Sequence, residues 1–368
     1  MSVIVLSQRE TVGGTAQQLA YSAWNEAEDI AVDIGGASLG LLNKHGQNKR
    51  VKARRIAGRF VRRAGGRSLL LPALGSGLIN HVDPADHLIL MAYGAWDLPL
   101  VERIRQLRSK AKTISVWMPE VWPSELDKRT RFESYAMVDR VFVGIREVID
   151  DFKQIAPHAD VSCLPPAADV SAFCPTSADN ERNISVLGIG RRDEIQHRQL
   201  LDWADRTGQF YLYDTVKGEP TSLVEHRQNL AGWYRQARVA ICNYGKHNRP
   251  DETGDLRIVP GRLFEGMAAG AILVGRSPSQ SNQMEIVGEI VVNPVEQSTF
   301  IGAIETFTEP GAGRCERVRN MVLACRRHDW AHRWHHIYEV LGEPIPKTLE
   351  ARIFSLADHA DRLASSEL

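Results

Sequence analysis

The chain alternates short apolar runs with longer segments in which apolar residues recur every three or four positions. The short runs have the length of strands buried on both faces, whereas the longer spacing is that of an amphipathic helix. Strands and helices that alternate in this way form parallel sheets through right-handed crossovers. The first half predicts strands at 3–6, 29–35, 87–93, 113–118, 140–145 and 161–167, and helices around 19–24, 98–111 and 146–156.

The same rhythm begins again after residues 166–182, whose Pro, Ser, Asp and Asn content is typical of a linker. We therefore predict two α/β domains, 1–170 and 178–346, each with a doubly wound parallel sheet. Ligands of such sheets bind at the carboxyl ends of the strands, so a cleft between the domains is the expected site. The second half predicts strands at 183–190, 210–215, 239–245, 271–276 and 289–293, and helices at 197–207, 222–237 and 261–270.

Composition fits a globular protein and excludes several other classes. Of 368 residues, 43% are apolar and 24% are charged, so the chain is neither disordered nor a coiled coil. Its longest apolar stretch, 68–79, contains Pro72 and is shorter than the roughly 20 residues that span a membrane. The first ten residues have only four consecutive apolar positions, so they do not predict a secretory signal. The five cysteines, none of them spaced as CxxC, indicate reduced thiols in a cytoplasmic protein.

Two adjacent glycines, Gly13 and Gly14, follow the first predicted strand and open the first predicted helix. Glycine lets a ligand approach the backbone closely, and free amides at a helix N-terminus favour an anion. The spacing is not GxGxxG, so it does not indicate a nicotinamide or flavin site. A tight turn without any ligand would explain the same residues.

The most specific motif is VPGRLFEGMAAGAILV at 259–274. Pro260 and Gly261 suit a helix start, where the amide dipoles can hold phosphate. Glu265 lies one turn further, where a carboxylate could accept hydrogen bonds from a ribose diol. The small residues at 266–270 allow close packing of the helix on the sheet, and the last glycine ends the helix.

This segment resembles the donor-binding signature of GT-B glycosyltransferases of the family 4 type, a large group of retaining sugar transferases. The Gly13-Gly14 turn resembles the glycine loop of that family, and LGIGRR at 187–192 resembles the opening of its second domain. LPPAADVSAFCP at 164–175 resembles its linker, with Asp169 and Phe173 at matching positions. The resemblance therefore covers most of the chain.

The resemblance implies a GT-B fold, in which two Rossmann-like domains face a cleft. HDWAHRWHHIYEVL at 328–341 resembles the aromatic and basic helix near the end of a related bacterial subgroup. In such folds the last helix often crosses back to the first domain, and residues 347–368 could do so here.

A nucleotide-diphosphate sugar, held mainly by the second domain, is the implied donor. Arg191 and Arg192 would neutralise the diphosphate, whose charge grows as it leaves. Glu265 would hold the ribose hydroxyls, and the glycine loop would touch phosphate from the first domain. No metal or other cofactor is implied, and no Asp-x-Asp triplet occurs. The implied donor residues are Gly13, Gly14, Arg191, Arg192, Arg257, Pro260, Gly261, Arg262, Leu263 and Glu265.

Two positions depart from the family pattern. The family usually has another glutamate eight positions before Glu265, where this chain has Arg257. Glu252 or Asp255 could substitute for it, or Arg257 could add a phosphate contact. The lysine that usually follows the Gly-Arg pair is missing too, and Gln196, His197 and Arg198 occupy that region. The second cation would then come from Arg198, Arg257 or Arg262.

Two carboxylates at predicted strand ends of the first domain are candidates for binding the acceptor. Asp97 follows the strand at 87–93, and Glu120 follows the strand at 113–118. Either could orient or deprotonate an acceptor hydroxyl, although a retaining reaction can leave the proton to the departing phosphate. Helix capping by Asp97 and a solvated loop at Glu120 are the alternatives.

The balance of 45 basic and 45 acidic residues gives no general attraction to nucleic acid, but it conceals a basic segment. Between Asp33 and Asp83 the chain has ten basic residues and no acidic one. Residues 49–64 fit a basic amphipathic helix, and half of the ten charges would contribute roughly 5 kcal/mol of attraction to an anionic membrane. A solvated face, an anionic acceptor site and RNA binding are the alternatives, RNA being the least favoured. The patch consists chiefly of Arg54, Arg55, Arg59, Arg62 and Arg63.

Four histidines lie on one predicted helix near the end of the chain. The pairs 328/332 and 332/336 have the i,i+4 spacing that can bind zinc. No acid or cysteine completes a motif nearby, so packing of this helix through Trp330 and Trp334 explains the segment better.

The sequence thus predicts a glycosyltransferase that moves a sugar to a hydroxyl of a glycan or a lipid-linked saccharide in bacterial polysaccharide or glycoconjugate synthesis. We expect a cytoplasmic protein that can sit on the inner face of the membrane. One alternative is a non-catalytic nucleotide-sugar or glycan-binding protein on the same fold, which the replacement by Arg257 supports. Another is an epimerase or phosphorylase on that fold.

Overall fold

The computed structural model of the chain describes residues 2–9, 21–41, 83–92, 107–126, 138–177, 181–213 and 222–365. The chain divides into two compact units, Met1–Pro165 and Pro166–Leu368. The division falls at the start of the predicted linker, so the residues of that linker belong to the second unit.

Strands and helices alternate in the first unit. Its described elements are β1 (Val3–Ser7), α1 (Ser22–Asp33), β2 (Ser38–Leu41), β3 (Ala85–Met91), β4 (Ala111–Met118), α2 (Pro123–Leu126), β5 (Arg140–Val143), α3 (Ile149–Ile155) and β6 (Asp160–Cys163). The strands form one parallel sheet in the order β2-β1-β3-β4-β5-β6. Because the order reverses between β1 and β3, their carboxyl ends mark the point where a doubly wound sheet binds ligands.

One predicted strand of the first unit is wrong. Most of the stretch 29–35 belongs to helix α1, and the next strand, β2, begins only at Ser38. The buried positions of α1, among them Trp24, Ala27 and Ala31, follow helical spacing. Packing of this face against the sheet overrides the strand preference of the short apolar run.

The second unit continues the alternation. Its described elements are α4 (Val170–Phe173), β7 (Ile184–Gly188), α5 (Glu194–Thr207), β8 (Tyr211–Tyr213), α6 (Leu223–Gln236), β9 (Ala237–Ile241), α7 (Pro250–Thr253), α8 (Gly261–Ala268), β10 (Ile272–Gly275), α9 (Gln280–Ile286), β11 (Val292–Pro294), α10 (Phe300–Thr308), α11 (Arg314–Arg327), α12 (Trp330–Leu341) and α13 (Lys347–Ser365). The parallel sheet has the order β11-β10-β9-β7-β8, which reverses between β7 and β9. A ligand of this unit is therefore expected to bind at the carboxyl ends of β7 and β9.

Helix α8 packs closely on this sheet, as its small residues predict. A Cβ atom on Gly266 would lie 2.6 Å from Cδ2 of Leu273 in β10, so only glycine allows this approach. Gly270, with a φ of 67°, turns the chain back into the sheet, and a Cβ there would lie 2.8 Å from the sulfur of Met321. These two glycines thus allow α8 to pack close to the sheet. Because α8 leads into β10, its N-terminus lies at the carboxyl edge of the sheet.

A buried carboxylate anchors the linker to the end of the chain. Asp329, which is fully buried, accepts hydrogen bonds from the amides of Val170 and Ala331 at 2.9 and 2.8 Å. It also receives two bonds from Arg352, at 2.9 and 2.7 Å, and Arg352 reaches Asp169 at 2.7 Å. These contacts join α4, α12 and α13 at one point.

The terminal helix α13 packs on α11 and α12, which also belong to the second unit. Its buried positions include Leu349, Leu356, Ala360 and Leu363. The sequence leaves open a return of residues 347–368 to the first domain, and the contacts described for 347–365 hold this helix to the second unit.

The segment that carries these histidines is held by packing and by backbone hydrogen bonds, but the prediction of one helix is wrong at its start, because His328 ends α11 and α12 begins only at Trp330. His328 contacts the carbonyl oxygen of Val287 through Nε2 at 3.1 Å, and His332 contacts that of Cys325 at 3.1 Å. Trp330 and Trp334 are fully buried. Among the residues that the structure describes, no group of His, Cys, Asp or Glu side chains is arranged to hold a metal ion.

His328 should make the protein sensitive to acid. Burial, followed by the charge of Arg333, lowers the pKa of His328 to about 3, whereas the unfolded chain has a pKa of about 6.5. The unfolded state therefore binds more protons between these values, and stability falls by up to about 1.4 kcal/mol per pH unit as the pH drops from about 6.5. In His328→Gln, the free energy of unfolding in urea should depend less steeply on pH across this range, because unfolding of the variant takes up about one proton fewer. If the free energy of unfolding depended on pH as steeply in the variant as in the wild type, this prediction would be refuted.

None of the five cysteines forms a disulfide in the structure. In the described ranges, no helix has both the length and the apolar character needed to cross a membrane.

Candidate functional site

The loop that follows β7 forms the centre of the candidate site. It contains Gly190, which has a φ of 89°, and then Arg191 and Arg192. Asp193 ends the loop and caps helix α5, because its Oδ1 accepts hydrogen bonds from the amides of Ile195 and Gln196 at 3.0 and 3.1 Å. The loop thus has a fixed conformation at the carboxyl end of β7, where the sheet order reverses.

Arg262, in the first turn of α8, lies against this loop. Its Nη1 donates a hydrogen bond to the carbonyl oxygen of Ile189 at 2.6 Å. A Cβ atom on Gly190 would overlap the Nη2 atom of Arg262, so the glycine makes room for the guanidinium. The structure therefore brings Arg262 to the loop that carries the predicted residue Arg191, about 70 residues earlier in the chain.

Gly190→Ala should disturb the site by displacing Arg262. The positive φ costs about 1 kcal/mol for alanine, and the new methyl group would push the guanidinium away from Ile189. We expect weaker binding of a diphosphate ligand together with this loss of stability.

Gly208→Ala is the matched control for that variant. Gly208 has a φ of 70°, and a Cβ there meets no atom within 4 Å. It should cost similar stability in a denaturant titration but leave ligand binding intact. Equal binding by both alanine variants would contradict the role of Gly190.

The two loop arginines differ in their surroundings. Arg191 is exposed, whereas the guanidinium of Arg192 lies 5.5 Å from the ring centroid of Tyr213. Tyr213 packs edge-on against His197, and burial and the charge of Arg192 lower the pKa of His197. Arg192 is thus held toward β8, and Arg191 is the loop cation more accessible from solvent.

A further arginine at this edge, Arg276, was not predicted from the sequence. It follows β10 and pairs through Nη2 with Oδ2 of Asp193 at 2.8 Å. Its amide donates to Oδ1 of Asn243 at 2.8 Å, and Asn243 in turn donates to Gln196 at 2.8 Å. Its position at the end of a predicted strand could have pointed to it, since all carboxyl ends of a parallel sheet share one edge.

His247 lies within the electrostatic reach of this cluster. Burial lowers its pKa first, and the charges of Arg262 and Arg276 lower it further, against the opposing effect of Asp193. The imidazole is therefore neutral near neutral pH. The net charge of the edge comes from its arginines, with Asp193 balancing Arg276.

Glu265 occupies the second turn of α8 and is buried. Its Oε1 lies 2.5 Å from Nη1 of Arg227 in α6, and the two side chains are 11% and 9% exposed. The guanidinium of Arg227 also lies 5.1 Å from the ring centroid of Phe173. The sequence predicted Glu265 as a site residue, but it gave no sign of its ion pair with Arg227.

The structure places the carboxylates near Arg257 in different settings. Arg257 is exposed, with its guanidinium 5.7 Å from the ring centroid of Tyr244. Glu252 pairs with Lys246 at 3.0 Å and with Arg249, and its pKa is lowered mainly by the hydrogen bond from Lys246. Asp255 is exposed. Glu252 is thus engaged with cations of its own loop.

Most candidates of the first unit lie outside the described residues. These are Gly13, Gly14, Asp97 and the basic patch of Arg54, Arg55, Arg59, Arg62 and Arg63. Glu120 is described, and its Oε1 accepts a hydrogen bond from the indole of Trp122 at 2.8 Å. This contact holds a buried tryptophan, and the role of Glu120 toward an acceptor stays a prediction.

Comparison with solved structures identifies the fold. A structure of HepE from Anabaena in complex with UDP is 13% identical, with a TM-score of 0.53 over 93% of this chain and 100% of the other. Another HepE structure, with UDP-glucose, has a TM-score of 0.52 at 12% identity, over 93% of this chain and 99% of the other. The UDP-forming α,α-trehalose-phosphate synthase from Burkholderia vietnamiensis is 13% identical, with a TM-score of 0.55 over 96% of this chain and 99% of the other.

The chain has the GT-B fold, the architecture that the sequence resemblance implied. No protein-family model matches the sequence, and no curated protein matches it.

Proposed function

We propose that this protein is a glycosyltransferase that uses a nucleotide-diphosphate sugar. The observation that supports it most is the contact of Arg262 with the Gly190 loop, which itself carries Arg191, at the strand ends where a doubly wound sheet binds ligands. A diphosphate needs such paired cations. The GT-B fold agrees with this proposal, as do the UDP and UDP-glucose bound by HepE, a protein of similar fold.

In the proposed reaction, the bond between the anomeric carbon and the diphosphate breaks while a bond to an acceptor oxygen forms on the same face of the sugar. The proton of the acceptor hydroxyl passes to the departing phosphate oxygen. Arg191 and Arg262 stabilise the negative charge that grows on the leaving group, and this charge stabilisation is the main catalytic effect of the site. No metal is needed in this scheme, because the guanidinium groups supply the positive charge.

The acceptor is proposed to be a hydroxyl of a glycan or of a lipid-linked saccharide. The basic segment between Asp33 and Asp83 supports this, because its ten cations would attract an anionic membrane surface. Under this proposal the protein docks reversibly on the inner face of the membrane. Sedimentation with vesicles of anionic and of neutral lipid tests it, and equal sedimentation with both would argue against it.

A non-catalytic nucleotide-sugar-binding protein is the second candidate. It is favoured by Arg257, which is exposed at the position where the resembling family has a carboxylate near the donor sugar. This candidate shares the diphosphate site but has no turnover.

The two candidates differ in whether nucleotide is released. Incubation with UDP-glucose and other nucleotide sugars, with and without bacterial lipid-linked glycans, should release nucleoside diphosphate only when an acceptor is present. Glu265→Ala should abolish the release. Tight binding of donor without release in any mixture would favour the binding protein, and release without acceptor would favour a hydrolase or epimerase.

A further inference from the structure

The pair of Arg227 and Glu265 lies near the edge of the second sheet that carries the arginines. Helix α6 leads into β9 and α8 leads toward β10, and both strands run parallel in one sheet. The N-termini of both helices therefore lie at the carboxyl edge of the sheet. Each residue is in the second turn of its helix, so their ion pair bridges the two helices just below this edge.

A contribution to folding stability does not by itself explain this ion pair. Both side chains are about nine-tenths buried, and the guanidinium faces the fully buried ring of Phe173. The desolvation of two buried charges offsets most of their attraction, and apolar residues of similar size are often as stabilising. A buried carboxylate held by a guanidinium is better explained by a need for that carboxylate in one position.

Glu265 has a competing partner on its own helix. Arg262 lies three residues earlier, which places the two side chains on the same helix face. If Glu265 turned toward Arg262, it would neutralise the cation that lies against the Gly190 loop. Arg227 binds Oε1 of Glu265 and holds the carboxylate away from Arg262.

We propose that Arg227 is a positioning residue, which fixes Glu265 so that its other carboxylate oxygen accepts a hydrogen bond from a ribose hydroxyl of the donor. This inference rests on the proposed function, because it requires a nucleoside diphosphate in the site. It predicts that recognition of ribose depends on Arg227 as much as on Glu265, although Arg227 does not touch the ligand.

The test compares ligands that differ only in ribose hydroxyls. Titration calorimetry with UDP, GDP and their 2′,3′-dideoxy forms gives the ratio of ribo- to dideoxy-affinity. A hydrogen bond to a charged group changes affinity by about 10- to 100-fold. We therefore expect the wild type to bind UDP or GDP, whichever binds more tightly, more strongly than its dideoxy form by this factor. Arg227→Met and Glu265→Gln should each reduce the ratio to near unity. The double variant should resemble either single one, because the two side chains act as a unit.

The controls separate positioning from general stability. Arg227→Lys keeps the charge but loses the planar fork, so it should fold and show an intermediate ratio. Arg182→Met is the matched control, since Arg182 is 7% exposed and binds the carbonyl oxygens of Ala237 and Ala269 at the far end of α8. It should lower the melting temperature and leave the ratio unchanged.

Three results would overturn the inference. If Arg227→Lys and Arg227→Met keep the ribose preference that Glu265→Gln loses, Arg227 is only structural. If the wild type binds a nucleoside diphosphate without preferring ribose, the inference fails while the proposed function stands. If the wild type binds no nucleoside diphosphate, both fail.

Discussion

Replacing Arg191 by alanine is expected to lower kcat/KM for the nucleotide sugar by about 100- to 1,000-fold, the usual effect of removing one group that stabilises transition-state charge. Arg191 follows the Gly190 turn and is exposed, so its guanidinium is free to meet a diphosphate at the switch point of the sheet. An exposed side chain contributes little to folding, and the free energy of unfolding should change by less than about 0.5 kcal/mol. Steady-state kinetics and urea unfolding of the same preparation measure both quantities.

Arg206→Ala is the control for this variant. Arg206 lies on the same helix that the loop leads into, but in its last turn, where it pairs with Glu305 at 3.2 Å on the surface. Its replacement also removes one positive charge, but at the opposite end of α5 from the loop, so kcat/KM should stay at the wild-type value. Equal losses for Arg191→Ala and Arg206→Ala would mean that general charge, and not the position of Arg191, attracts the donor.

Replacing Asp329 by alanine is expected to destabilise the second unit by about 3–5 kcal/mol, the usual effect of breaking a buried ion pair. The carboxylate is fully buried and accepts hydrogen bonds from two amides and from Arg352. Its loss leaves those donors unsatisfied and removes the N-cap of α12. The anchoring of the linker at Val170 is lost as well.

The measurement is denaturant unfolding of the full chain, followed by circular dichroism. Asp361→Ala is the matched control, because Asp361 pairs with Arg326 on the surface, where both side chains are more than half exposed. Surface pairs contribute about 0–1 kcal/mol, so this control should barely change the transition. A loss for Asp329→Ala as small as that of the control would refute the role of the buried network.

Most of the strands, and the loop that forms the candidate site, could be predicted from the sequence because those features are local. Buried strands such as β4 and β9 are short, mainly apolar runs, and each is followed within four residues by a proline or a glycine, Pro119 and Gly245. The glycine and arginine of the β7 loop are adjacent in the chain, and the helix of Arg262 and Glu265 is one continuous motif. The error at 29–35 arose because a short apolar run fits either element until its packing face is known.

The partners of these residues could not be predicted, because they are not local. Arg227 is 38 residues before Glu265, and Asp329 is 159 residues after Val170. Nothing in the spacing of either pair marks a contact, which depends on how two helices approach across the sheet. Arg276 needed the register of β9 and β10 before its closeness to Asp193 could be expected.

The central claim is a nucleoside diphosphate site at the switch point of the second sheet. A thermal-shift series with UDP, GDP, ADP, TDP and CMP, without metal, tests it most directly. A ligand at 100 times its dissociation constant stabilises the folded state by about 2.7 kcal/mol, a readily visible shift. We predict a shift with at least one diphosphate, weak or absent with CMP, and lost in Arg191→Ala. No shift with any nucleotide, or a shift unchanged by Arg191→Ala, would contradict the account.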